Sequence, residues 1–186
     1  MRTFIAIDLE PDLKANLAEF IKRLKKINEK DVSWSGPDGL HLTLKFLGEI
    51  PEAKLAAVKE SLAGVVSSQK SFPLVLKGTG YFPPNSKFIR VLWAGVFEQP
   101  TLMNLHREID FEMAKHGFIP ESHPFHPHLT LGRVRTALRL HDVLDELERH
   151  KYSTFGQMTA GQVTLFESRL QPAGASYGIL AEYPLP

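Results

Sequence analysis

The 186-residue chain contains no cysteine, which excludes disulfides, thiolate metal sites and a thiol nucleophile. Net charge is nearly absent, with 22 basic against 21 acidic residues and a formal +1. So weak a field does not hold long duplex nucleic acid, and an anionic ligand must be gripped by a few local groups. No apolar run approaches the roughly 20 residues of a membrane span. The stretch Phe4 to Ile7 is cut short by Asp8 and Glu10, so it is too short and too acidic for a signal peptide. A soluble cytoplasmic protein with no membrane partner is expected. The glycines build neither a P-loop nor a dinucleotide fingerprint, and there is no Gly-x-Ser-x-Gly elbow. The segments Gly36-Pro37-Asp38-Gly39 and Gly78-Thr79-Gly80 therefore read as turns. Hydrophobic residues at 43% suffice for a sizeable core, in one domain or two tightly fused lobes.

Against these absences stands one repetition. The phrase His-Leu-Thr-Leu occurs at His41-Leu42-Thr43-Leu44 and again at His128-Leu129-Thr130-Leu131, 87 positions later (128 − 41). Alternate side chains of a strand share a face. Each copy therefore aims a His and a Thr one way and two leucines the other. The leucines read as core and the His–Thr pairs as a site.

The surrounding pattern repeats too. Phe4 to Ile7 reads as a buried strand, and Glu10-Pro11 opens a helix with Leu13, Leu17, Phe20, Ile21, Leu24 and Ile27 on one face. A loop over Ser35 to Gly39 precedes the first motif strand, Leu40 to Leu47. Pro51 starts a second helix carrying Leu55, Val58 and Leu62, followed by a strand at Phe72 to Leu76 and a turn at Phe82 to Ser86. A strand at Phe88 to Val96 then begins the second round. Gln99-Pro100 opens a helix that Gly117 closes, and a loop around Pro120 to Pro124 leads into the second motif strand. A helix at Leu138 to Leu147 and strands at Gln162 to Phe166 and Tyr177 to Ala181 follow, the last two joined by a hairpin loop at Gln171 to Gly174. Arg90 follows Arg2 by 88 positions, close to the motif offset. The expected fold is α+β: duplicated β-α-β-α-β units related by a pseudo-two-fold, with antiparallel sheets flanking a central cleft. One domain over 1–186 is expected, made of two intertwined lobes with repeat units of about 1–87 and 88–186.

Two imidazoles that titrate near neutrality can divide the work of acid and base. Placed on either side of a phosphate, they suit in-line displacement. The Thr43 and Thr130 hydroxyls can donate to the non-bridging oxygens, where charge collects. Arg133, five residues after His128, and Lys45, four after His41, could add a cation. The position matching Arg133 in the first half is Phe46, so a ring and a guanidinium could stack on a base or clamp it with its phosphate. Core packing is the other reading of Phe46, and surface ion pairing the other reading of Arg133. His106, His116, His141 and His150 fall on helices and read as structural. His123, His126 and His128 form H-x-x-H-x-H, a conceivable metal set, but Pro124 and Pro127 interrupt it and no carboxylate lies in the same stretch. No metal and no cofactor are expected.

These residues resemble the 2H phosphoesterase superfamily, and within it the RNA 2′,3′-cyclic phosphodiesterases historically called 2′-5′ RNA ligases. The resemblance runs through Arg2 to Asp8, the phrase HLTLKFLGE from His41 to Glu49, Gly80-Tyr81-Phe82-Pro83, Arg90 to Trp93, and Phe125 to Arg133. It implies a bilobal, metal-free enzyme that opens a terminal 2′,3′-cyclic phosphate on RNA to leave a 2′-phosphate. It would make His41 the proton donor to the 3′-oxygen and His128 the base. Thr43 and Thr130 would bind phosphate, with Arg133 assisting; Phe46 is a further candidate for substrate contact. The motifs themselves, being nearly identical, do not separate acid from base. His126 stands where the family frequently has arginine. The partner expected is RNA ending in a cyclic phosphate, or a related nucleotide, met by a monomer. Ligation in the reverse direction, cleavage of another cyclic or 2′-5′ phosphodiester, and binding of RNA ends without catalysis are the alternatives.

Overall fold

A computed structural model describes residues 1–136, 139–171 and 174–186, the side chain of Gln171 excepted. Nine strands and four helices follow the order β1 (Arg2–Asp8), α1 (Pro11–Ile27), β2 (Val32–Trp34), β3 (His41–Glu49), α2 (Glu52–Ser67), β4 (Phe72–Phe82), β5 (Val91–Val96), α3 (Pro100–Lys115), β6 (His128–Val134), α4 (His141–Arg149), β7 (Thr154–Ala160), β8 (Gln162–Gln171) and β9 (Gly174–Pro184). A short 3-10 turn at Pro37–Gly39 leads into β3.

The strands form two antiparallel sheets, β3-β1-β8-β9 and β2-β6-β5-β4-β7. The expected α+β architecture with antiparallel sheets is present, and each sheet carries one His-Leu-Thr-Leu strand. The assignment of strands to sheets crosses the sequence halves. Strand β4 from the first half pairs with β5, and β8 from the second half pairs with β1. The helices follow: α2 and α3 back the first sheet, α1 and α4 the second. Pro at the first helical position opens α1 and α3, where its missing N–H costs nothing. Gly117, at φ +82°, ends α3 in the left-handed region that glycine favours.

The motif leucines behave as alternation requires. Leu42, Leu44, Leu129 and Leu131 are buried in the main core with Ile5, Ile7, Leu17 and Leu62. Phe4, Ala6 and Phe166 form a second, smaller cluster on the opposite face of the first sheet.

Strand register corrects the expected match between Arg2 and Arg90. Phe4 stands opposite Phe46, and Val91 stands opposite Arg133. The structural offset is therefore 87 positions (91 − 4), the same as the motif offset, and Arg2 corresponds to Ile89. Strand β5 starts at Val91, not Phe88, because Phe88 lies 80% exposed beyond the ladder.

Two strands lack a sequence signal. Strand β2 has three residues and lies on β6 at a sheet edge, where Gly132 leaves room for the Val32 and Trp34 side chains. Strand β7 (TFGQMTA) is a half-exposed edge strand on β4, without the alternation that marks a strand in sequence. The expected helix from Leu138 begins at His141, and Leu138 itself is outside the described residues. Of the expected loop at Gln171 to Gly174, Pro172 and Ala173 also lie outside the described residues, while Gln171 and Gly174 pair at the end of the β8–β9 ladder. Among the described residues, no helix is long and apolar enough to cross a membrane.

Candidate active site

Strands β3 and β6 approach each other at the centre of the molecule, and a cleft of about 970 Å³ opens over both. Its walls include His41, Thr43, Phe46, His128, Thr130 and Arg133. The two motifs, 87 residues apart in the chain, are thus brought to one cavity.

His41 lies flat. Its ring stacks on Phe4 with centroids 4.7 Å apart, reaches Phe166 at 5.8 Å, and meets the Tyr177 ring edge-on at 5.1 Å. Ala6, on the same strand face as Phe4, is small enough for the imidazole to lean across β1. Burial among these rings disfavours the charged form and drops the His41 pKa to about 4, opposed by the Asp8 carboxylate and reinforced by Lys14. A hydrogen bond to the Asp38 backbone steadies the ring.

His128 is held in a related way. Its Nδ1 donates to the His126 carbonyl oxygen at 2.6 Å, which leaves Nε2 as the proton-accepting atom of the neutral ring. Phe82 meets it edge-on at 5.0 Å, and Trp93 lies at 6.5 Å. Its pKa is also lowered, by burial first, with the charges of His126 and Arg133 adding to the fall.

The Thr43 and Thr130 hydroxyls make no hydrogen bond among the described residues, so both can donate to a ligand. The Thr130 carbonyl, by contrast, accepts from Ser35 Oγ at 2.7 Å, which pins β6 to the loop after β2. Arg133 faces the cleft without an ion pair among the described residues, which removes the surface-pair reading. Phe46 is 62% exposed, which removes the core reading; its ring centroid stands 6.0 Å from that of Phe4.

Lys45 departs from expectation. Register shifts in β3 turn its side chain inward, where the ammonium pairs with Asp110 of α3 at 2.5 Å and bonds the Ile119 carbonyl at 3.0 Å. It is a tether for α3, not a free cation.

The H-x-x-H-x-H histidines diverge. His123 bonds Ser122, His126 lies 3.5 Å from Glu98, and His128 is tied to the backbone. No cluster of three or more metal-ligating side chains exists among the described residues.

Several cleft residues carried no sequence signal as site residues. Tyr177 arrives from β9, and its role depends on a pairing that local sequence does not reveal. His106 stacks on Phe125 with ring centroids 3.8 Å apart and lines the far wall. Phe82, beside His128, lies in the Gly80-Tyr81-Phe82-Pro83 phrase, which was a signal of resemblance rather than of a role.

The model of the 2′-5′ RNA ligase superfamily matches residues 13–171. The chain belongs to this superfamily. Among curated members, the RNA 2′,3′-cyclic phosphodiesterase of Methanocaldococcus jannaschii is 36% identical over 183 residues, covering 98% of this chain and all of that one. The enzyme of the same name from Methanothermobacter thermautotrophicus is 35% identical over 95% of each chain. Solved structures superpose along nearly the whole chain. A Thermus thermophilus protein aligns with a TM-score of 0.83 at 27% identity, over 100% of this chain and 98% of its own. Escherichia coli LigT, complexed with 3′-AMP, aligns with a TM-score of 0.80 at 28% identity, over 99% and 97%.

Proposed function

We propose that this protein hydrolyses the terminal 2′,3′-cyclic phosphate of RNA to a 2′-phosphate, by acid–base catalysis between His41 and His128 and without a metal ion. The observation that carries the reading is the meeting of both His–Thr pairs in one cleft, in a chain whose relatives are named RNA 2′,3′-cyclic phosphodiesterases. The binding of 3′-AMP by LigT supports a nucleotide or RNA end as the ligand class.

Burial keeps both imidazoles neutral at neutral pH. The negative charge of a bound cyclic phosphate reverses that bias, since a nearby anion favours imidazolium. One ring then carries a proton and the other does not. His128 takes a proton from water through Nε2 as the water oxygen bonds to phosphorus. The bond from phosphorus to the 3′-oxygen breaks, and His41 delivers its proton to that oxygen. The product holds a 2′-phosphate and a free 3′-hydroxyl. Thr43, Thr130 and Arg133 offset the charge on the non-bridging oxygens. Joining of a 5′-hydroxyl to a cyclic end is the same displacement with that hydroxyl in place of water, and it uses the same groups.

The test is turnover of a short RNA ending in a 2′,3′-cyclic phosphate, with chelator present and the product phosphate mapped. Formation of a 2′-phosphate that disappears in His128→Ala supports the reading. A 3′-phosphate product, or loss of activity to the chelator, overturns it.

A further inference from the structure

The two halves of the cleft are alike in the groups that touch phosphate and unlike in the charge beside them. Asp8 stands directly opposite His41, and Gly95 stands directly opposite His128. Both are the same 87 positions apart (95 − 8). Directly opposed residues of an antiparallel pair share a face, with Cβ atoms about 4.5–5.5 Å apart. One imidazole therefore has a carboxylate for a cross-strand neighbour, and the other has a glycine.

Every element packed on His41 adds to this environment. Strand β1 supplies Asp8, α1 supplies Lys14, the 3-10 turn supplies the Asp38 backbone, β8 supplies the Phe166 ring and β9 the Tyr177 ring. Across the cleft, β6 carries His128 and Arg133. The side chains whose charge bears on His128, His126 and Arg133, both lower its pKa, and no carboxylate among the described residues opposes them. Asp8 is itself engaged. Lys14 Nζ reaches its two carboxylate oxygens at 2.7 Å and 2.9 Å, and the lysine side chain is only 20% exposed. That pair sits where β1 passes into α1, at the edge of the first motif.

We propose that Asp8, with Lys14 as its counter-ion, is the positioning pair that makes the two imidazoles unequal and holds His41 as the one that delivers a proton. The inference rests on the two-histidine reading above. Burial works against protonation of His41, and Asp8 is the first group that opposes burial. A phosphate anion between the rings favours protonation of both. The remaining difference is then Asp8 on one side against Arg133 and His126 on the other.

The test compares wild type, Asp8→Asn and Lys14→Met by NMR titration of the histidines and by kcat against pH on cyclic-ended RNA. His41 is expected to titrate lower in Asp8→Asn and higher in Lys14→Met, each by about 0.5–1 unit, with His128 unmoved. The alkaline limb of kcat, which reports the acid of the substrate complex, moves the same way. A strut that only joins β1 to α1 would destabilise both variants alike and leave the titration in place, which overturns the proposal. Movement of the acid limb instead overturns the assignment of proton delivery to His41. If no cyclic-ended RNA is turned over while the NMR shifts have opposite signs, the pair's control of His41 is supported and the failure falls on the proposed substrate.

Discussion

The His41 imidazole lies on the Phe4 ring, 4.7 Å between centroids and 29° from parallel. Folding therefore removes from water a group that titrates near 6.5 when unfolded and near 4 when folded. Between these values the unfolded chain binds more protons than the native one, so stability falls as pH falls from about 6.5 to 4. His128 and His106 shift in the same direction. For His41 the loss is about 1–3 kcal/mol across the window. Urea midpoints measured against pH should show this slope, and His41→Asn should flatten part of it while leaving stability at pH 8 without that dependence. An unchanged slope in the variant would place the titrating group elsewhere.

Phe46 and Arg133 occupy equivalent places at the cleft and offer a ring and a guanidinium. Phe46→Ala should raise KM for cyclic-ended RNA by about 5–100-fold, the worth of one base stack, with kcat nearly retained. The ring is 62% exposed, so the melting temperature should hardly move. Arg133→Ala should lower kcat as well, because it acts on phosphate charge. Steady-state kinetics on both variants separates the two roles, and equal KM effects with intact kcat in both would contradict it.

Lys45 and Asp110 form an ion pair whose lysine side chain is 1% exposed. Asp110→Ala leaves that ammonium buried and unpaired, and should cost about 3–5 kcal/mol. The Glu121 backbone N–H also loses its acceptor, so the loop before β6 loosens. The double replacement Lys45→Met with Asp110→Leu should recover most of the loss. Denaturant unfolding of the single and double variants decides it; additive losses would mean the pair is not coupled.

Gly80 lies across from Trp93, and a Cβ there would fall inside the indole. Gly80→Ala should therefore displace Trp93, which stands beside Phe82 and His128, at a cost of about 1–3 kcal/mol and with reduced turnover. Gly64, inside α2 with open space around it, is the control: Gly64→Ala should stabilise by about 0.5–1 kcal/mol and leave turnover alone. Tryptophan fluorescence and thermal melts of the two variants check the contrast.

The sequence makes legible whatever depends on a period. Leu42, Leu44, Leu129 and Leu131 announce two strands with one buried face, and the His–Thr pairs follow on the other. The helices α1, α2 and α3 declare themselves by apolar spacing and by proline at or just before the first turn. What is hidden depends on which strand lies beside which. Tyr177 reaches His41 because β9 pairs with β8 and β8 with β1, a route invisible to local pattern. Lys45 looks available at four residues from His41, yet irregular pairing in β3 turns it inward to Asp110. Strand β2 is too short to show any period, and the Gly132 that admits it looks like an ordinary break.

The crossing of strands between the sheets has a mechanical meaning. The backbone enters the first sheet at β1, leaves for β2, returns at β3, leaves again for β4 and comes back at β8. Four covalent passages thus lace one wall of the cleft to the other, and a single apolar core runs beneath both. A hinge works when one or two strands of chain join two bodies; four passages and a shared core oppose such a swing. The cleft meets its ligand already shaped, and adjustment falls to the loops and side chains at its rim.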